Sequence, residues 1–265
     1  MPIRFAYHPA TFLAGKNPVT REDFAAACDA LAKIGWRGIE YSASAAMKLW
    51  PDPADYQRDL EAHGLAPVTL YTPYGVTETE QIEPTVKQAT KAFEYLAAAG
   101  CELALLDGGQ HREGADRDEE TEVLAESANR LAKAARKVGL RGVWHQHFGT
   151  VIEYTPQFHL FMELVDPKLV EFCPDTAQLT LGGIDCEDTF RRYIKRITYT
   201  HFKDLSADRK MRETGGGIID FEPLRDLLVD AGYSGWITPD LDYTTNMTAE
   251  EAARRSYSTL IELFS

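Results

Sequence analysis

Five times along the chain a helical stretch ends at a glycine, and a short apolar run follows within a few residues. The pairs are Leu31–Gly35 with Gly38–Tyr41, His63-Gly64 with Ala66–Tyr71, Ala99-Gly100 with Leu103–Leu106, Val138-Gly139 with Gly142–His145, and Ala231-Gly232 with Trp236–Thr238. Glycine suits the left-handed residue after a helix because it has no Cβ to clash there. The apolar runs are continuous rather than alternating, which is the pattern of parallel strands covered on both faces. Ile3–Tyr7, Val170–Cys173 and Ile197–Thr200 are three further runs of this kind.

Helices are expected over Asp55–His63, Ile82–Ala99, Asp118–Val138, Pro156–Val165, Glu187–Tyr193, Glu222–Ala231 and Ala249–Phe264. An earlier one starts near Thr20, where Thr20 and Asp23 have the spacing of a capping box. Thr155 stands as cap before Pro156, a residue suited to a first helical turn. Eight strands alternating with eight helices in 265 residues match the size of a closed (β/α)8 barrel, typically about 250 residues. A doubly wound open sheet is the alternative, but it usually carries a glycine-rich first turn. The turn after Tyr7 (HPATFLAG) has none. No linker interrupts the pattern, so one domain spans 1–265, with Trp50–Pro53 and Gly215–Gly217 as loops.

Charge narrows the function. Lys plus Arg number 28 and Asp plus Glu 41, a net charge of −13, the wrong sign for tracking phosphates, so no nucleic-acid partner is expected. No apolar run approaches the ~20 residues of a membrane span. Met1–Ala10 lacks the basic and apolar regions of a leader, so the cytoplasm is the expected location. Cys28, Cys101, Cys173 and Cys186 are scattered and read as buried thiols rather than a disulfide or zinc framework.

Barrels of this kind keep their chemistry at the C-terminal strand ends. Following each apolar run places His8, Glu40, Tyr71, Asp107-Gly108-Gly109, His145-Gln146-His147 with Glu153, Asp175, His201 with Lys203 and Asp204, and Asp240 with Asp242 on one rim. The last four strands end in His, Asp, His and Asp, a donor set suited to Mn²⁺, Zn²⁺, Co²⁺ or Fe²⁺. Any one of these residues alone is as readily an ordinary satisfied rim group. His145 and His147 share a strand face, so one is expected to bind metal and the other to reach substrate or brace a ligand. Gly215–Gly217 reads as a turn in preference to an anion cradle. Arg209, Lys210 and Arg212 read as a solvated loop, and His63, His111 and His159 as structural or exposed. No nucleophile elbow, Walker loop or dinucleotide fingerprint is present.

The stretches Trp144–Glu153 (WHQHFGTVIE), Pro174–Leu179 (PDTAQL) and Thr200–Asp204 (THFKD), with Gly215–Phe221 and Trp236–Asp242, resemble the xylose-isomerase-like TIM barrel superfamily of sugar isomerases, epimerases and related lyases. The H-x-H-x-G-T-x-x-E stretch is most similar to the inosose dehydratase branch. The resemblance covers nearly the whole chain. It implies one divalent metal, Mn²⁺ first, on His145, Asp175, His201 and Asp240. His145 stands where many relatives have Glu, so Glu153 is the alternative ligand, freeing His145 as a base. Gln178 stands where relatives often have His. The expected substrate is a small sugar or keto-polyol, turned over through an enediolate. His147, Glu153 and Lys203 are the catalytic residues, and His8, Glu40, Gln178 and Asp242 the substrate-binding ones. Dehydration is the first reading, with epimerisation or aldose–ketose isomerisation on the same metal site beside it; the sequence leaves the oligomeric state open, a homo-oligomer included. Two other classes compete: an endonuclease on the same barrel, disfavoured by the negative charge, and a sugar-binding barrel without catalysis.

Overall fold

The computed structural model describes residues 3–265. Met1 and Pro2, which begin the expected domain and the segment read as lacking a leader, lie outside the described residues. In chain order the elements are β1 (Arg4–Tyr7), α1 (Ala10–Leu13), α2 (Arg21–Ile34), β2 (Gly38–Ser42), α3 (Ala43–Leu49), α4 (Pro53–Ala62), β3 (Ala66–Gly75), α5 (Thr79–Ala98), β4 (Leu103–Gly108) and α6 (Arg117–Lys137). There follow β5 (Arg141–His145), α7 (Thr155–Leu164), β6 (Val170–Cys173), α8 (Thr176–Leu181), α9 (Cys186–Tyr193), β7 (Tyr199–His201), β8 (Asp204–Leu205), β9 (Met211–Arg212), α10 (Glu222–Asp230), β10 (Trp236–Thr238) and α11 (Ala249–Leu263).

Eight strands pair in the order β6-β5-β4-β3-β2-β1-β10-β7, every pair parallel. Parallel bridges Phe172↔Ile197 and Asp175↔His201 join the two ends, so the sheet curls into the expected barrel. Strands β8 and β9 form a separate antiparallel hairpin in the loop after β7.

The apolar residues sort into two clusters with the period of two that strands impose. Leu103, Leu105, Val143, Cys173, Tyr199 and Trp236 pack together as the barrel interior. Their chain neighbours Ala104, Leu106, Trp144 and Phe172 belong to the larger cluster shared with the helices. Continuing the inward set by two residues leads to Asp107, His145, Asp175 and His201. The rim site is thus the top layer of the barrel's own interior, where apolar side chains give way to polar ones.

Local signals account for most helix starts. Thr20 and Asp23 form the anticipated reciprocal capping box at α2. At α7 the start differs: Thr155 is the first helical residue, and the extended Tyr154 precedes it without a side-chain cap. The sequence reading also passed over α1, α3, α8 and the β8–β9 hairpin, all too short to show a period. Strand β7 begins at Tyr199 rather than Ile197, which contributes only an isolated bridge. All four cysteines are free, and Cys186 is half-buried rather than buried. No helix among the described residues is long and apolar enough to cross a membrane.

Candidate metal centre and active site

Asp175 organises the rim. It lies two residues past β6 and caps α8, with its Oδ1 accepting from the backbone N–H groups of Ala177 and Gln178 at 3.0 Å each. Its Oδ2 is left for the barrel mouth. There it meets His145 Nε2 at 3.4 Å, Lys203 Nζ at 3.5 Å and His201 Nδ1 at 3.6 Å. Asp240, from the loop after β10, approaches from the other side, with Oδ2 3.8 Å from His201 Nδ1 and 3.0 Å from Lys203 Nζ. Donor atoms of His145, Asp175, His201 and Asp240 all lie within 4.8 Å of one another. Asp242 adds a carboxylate 3.6 Å from Lys203 Nζ at the exposed edge.

Burial opposes charge on His145, His201, Asp175 and Lys203, yet their mutual arrangement outweighs it. The His145 pKa rises to about 9, against desolvation, through hydrogen bonds to Asp107 and Asp175. The His201 pKa rises to about 10, against desolvation, through the charge and hydrogen bond of Glu40 and the nearby carboxylates of Asp175 and Asp240. Despite burial, Lys203 and the two imidazoles hold the Asp175 carboxyl well below its usual range. Lys203, also buried, is kept a cation by Asp240, Asp175 and Asp242.

The fit to a divalent ion rests on one atom above all. His201 Nδ1 is buried and has no hydrogen-bond partner. Its Nε2 lies 2.9 Å from Glu40 Oε2, which keeps a proton on Nε2, so Nδ1, facing the space between Asp175 and Asp240, is the nitrogen that gives up its proton to a metal. Two imidazoles and two carboxylates around one point form a donor set suited to Mn²⁺, Zn²⁺, Co²⁺ or Fe²⁺. A second grouping of His8, Glu40 and Asp240 is also compact, but its atoms are committed internally. Glu40 Oε2 accepts from His201 and from the Tyr199 hydroxyl, and His8 Nδ1 accepts from the Ala10 N–H.

The other expected residues stand apart from the donor set. His147 lies just past β5, with its ring centre 5.6 Å from that of His145. Its Nδ1 donates to the Phe148 carbonyl at 2.5 Å, and its Nε2 faces Gln178 Nε2 at 3.0 Å. Gln178 also accepts from the Phe148 N–H, so its amide clips the loop after β5 to α8. Glu153 is buried but turned away, paired with Arg117 at 2.9 Å and accepting from the Gly149 N–H at 3.1 Å. His8 reaches Asp240 Oδ1 at 3.6 Å on the opposite side of the mouth.

Asp107 and Tyr71 stood at strand ends in the sequence but drew no role; the structure puts both against His145. The signal was there in the alternation Leu103, Leu105, Asp107. The Gly215–Gly217 turn does cradle an anion, but an internal one: Gly217 N–H donates to Asp204 Oδ2 and Ile219 N–H to Asp204 Oδ1. His63, His111 and His159 bond to Asp29, Glu120 and Tyr193, away from the mouth.

The sequence matches the xylose isomerase-like TIM barrel family over residues 28–263. An inosose dehydratase of Lacticaseibacillus casei is 29% identical over 244 residues, 81% of this chain and 80% of that one. The inosose dehydratase of Geobacillus kaustophilus (strain HTA426) is 29% identical over 217 residues, 70% of each chain. Among solved structures, the IOLI protein with a bound zinc atom superposes with a TM-score of 0.81 at 16% identity, covering 99% of this chain and 98% of that one. The D-psicose 3-epimerase of Clostridium cellulolyticum H10, solved with D-tagatose, gives a TM-score of 0.80 at 14% identity, covering 99% and 100%. The chain is therefore an enzyme that belongs to the xylose isomerase-like TIM barrel family.

Proposed function

We propose that the chain is a divalent-metal-dependent lyase that dehydrates an inosose or a related keto-polyol. The observation that carries this reading is the convergence of His145, Asp175, His201 and Asp240 on one point, with the Lys203 cation beside it. These four residues would hold the ion, Mn²⁺ first, with Zn²⁺, Co²⁺ or Fe²⁺ as alternatives. When bound, it supplies fixed positive charge for the oxygens of a hydroxy-ketone whose α-proton is leaving.

The protein's own groups do the rest. His147 is the proposed base. Its Nδ1 proton is spent on Phe148, so Nε2 is the nitrogen able to accept. A substrate hydroxyl that engages the Gln178 amide would free it. Lys203 is the proposed acid: it gives a proton to the departing β-hydroxyl, which leaves as water as the carbon–carbon double bond forms. Glu153, with Arg117, braces the turn that carries His147. His8 and Asp242 line the mouth where the polyol hydroxyls would lie, whereas Glu40, also expected to bind substrate, is buried and engaged by His201 and Tyr199. Epimerisation or isomerisation would use the same first step and differ only in the carbon that takes the proton back.

The test is metal analysis of the purified protein, followed by turnover of a panel of inososes and ketoses. A dehydratase makes an ultraviolet-absorbing unsaturated product. An epimerase or isomerase instead exchanges a substrate proton for solvent deuterium without that absorbance. Stoichiometric metal with neither outcome would reject both readings.

A further inference from the structure

Two matching relays back the two histidines. Tyr199 donates to Glu40 Oε2 at 2.5 Å, and the same oxygen lies 2.9 Å from His201 Nε2. Across the barrel, Tyr71 donates to Asp107 Oδ2 at 2.6 Å, and that oxygen lies 3.4 Å from His145 Nδ1. The second carboxylate oxygen of Asp107 accepts from the Gly108 N–H at 2.5 Å. The side chains of Asp107 and His145 are 3% and 2% exposed, so water does not compete for these bonds.

The chemistry of the carboxylate sets the direction. An ionised carboxylate only accepts, so Asp107 requires the proton of His145 to sit on Nδ1. The lone pair is then on Nε2, the nitrogen that faces Asp175. Burial next to Asp107 pushes the Tyr71 hydroxyl well above its ordinary pKa, so it stays a donor and occupies the Asp107 lone pair that would otherwise let the carboxylate turn away.

We propose that Asp107, locked by Tyr71, is a positioning residue that orients His145 so that Nε2 is presented to the metal. It does for His145 what Glu40 and Tyr199 do for His201. The inference rests on the reading of His145 as a ligand. Outer carboxylates of this kind fix the tautomer and tilt of a ligating ring, and losing one typically weakens metal binding about 10- to 100-fold.

The experiment is a Co²⁺ titration of the full chain against a competing chelator, with the visible absorption of the bound ion recorded. The variants are Asp107→Asn, Tyr71→Phe, His145→Ala and the double variant Asp107→Asn/His145→Ala, each also melted without metal. Asp107→Asn is expected to weaken Co²⁺ binding about 10- to 100-fold and to shift the visible bands. Tyr71→Phe, which keeps the ring and spares the fold, should do the same to a smaller degree. In the His145→Ala background the Asp107 change should add nothing, because its effect passes through that ring. Parent-like affinity and spectrum in both single variants would overturn the proposal and assign the relay to fold stability alone. An equal loss with and without His145 would also overturn it. If His145→Ala binds Co²⁺ as the parent does, or if the parent binds none, the ligand reading itself fails and takes this inference with it.

Discussion

His145 and His201 approach the same oxygen of Asp175 through opposite ring nitrogens, Nε2 at 3.4 Å from one and Nδ1 at 3.6 Å from the other. Each ring reaches outward with its other nitrogen to a buried carboxylate, Asp107 or Glu40. Without a metal, that crowd of carboxylates favours two imidazolium rings. With one, both inner nitrogens must be bare, because a metal ligand has to be deprotonated.

Metal binding should therefore release protons. With pKa values lifted to about 9 and about 10, both rings carry a proton at neutral pH in the metal-free protein. Titration calorimetry at pH 7 in buffers of different ionisation enthalpy should show about two protons expelled per ion, and affinity should climb as pH rises toward 9–10. The folded pKa values lie above the ~6.5 of a free imidazole, so these rings stabilise the metal-free fold fully below that pH. The contribution is lost as pH rises through about 9 and about 10. The melting temperature of the metal-free protein should fall across that window, and a flat profile with no proton release would contradict the arrangement.

Asp175 should separate into two jobs. Asp175→Asn keeps an effective helix cap and should lose metal with little loss of stability. Asp175→Ala should lose metal and also cost about 1 kcal/mol or more, since the Ala177 and Gln178 N–H groups then have no partner. His201→Ala should lose metal too. Metal content and thermal melts read these effects separately, and full occupancy in any of the three variants would remove its residue from the metal site.

His145 and Glu153 make an opposed pair. His145→Ala should hold metal much more weakly than the parent and be purified with little of it. Glu153→Gln should keep metal and turn over more slowly, because Arg117 and the Gly149 N–H lose the charge that holds the turn beneath His147. Metal analysis and kcat on the same preparations decide it. If His145→Ala retains its ion and only the rate falls, while Glu153→Gln loses it, the roles are exchanged.

Lys203 competes with the metal for Asp175 and Asp240. Lys203→Met should cut kcat by about 10²- to 10⁴-fold, the usual weight of a general acid. It should leave metal affinity equal to the parent's or higher, because the positive charge 3.0 Å from Asp240 Oδ2 is gone. A fall in affinity would mean that the lysine organises the donor set rather than opposing it.

The architecture was largely written in local signals. Glycine after helix, continuous apolar runs and the Thr20–Asp23 box act over a few residues, so the barrel and most helices could be read from them. The rim was legible for the same reason: a strand's period of two carries Val143 to His145, Cys173 to Asp175 and Tyr199 to His201, so polar residues at run ends fall at one mouth. What no local signal contained was how each side chain spends its valences. Tyr71 lies 36 residues from Asp107, and Tyr199 lies 159 from Glu40. Glu153 turns to Arg117 across 36 residues rather than to the mouth. Only closure of the barrel brings such groups within hydrogen-bond distance, and hydrogen bonds decide by tenths of an ångström which nitrogen of a ring is free.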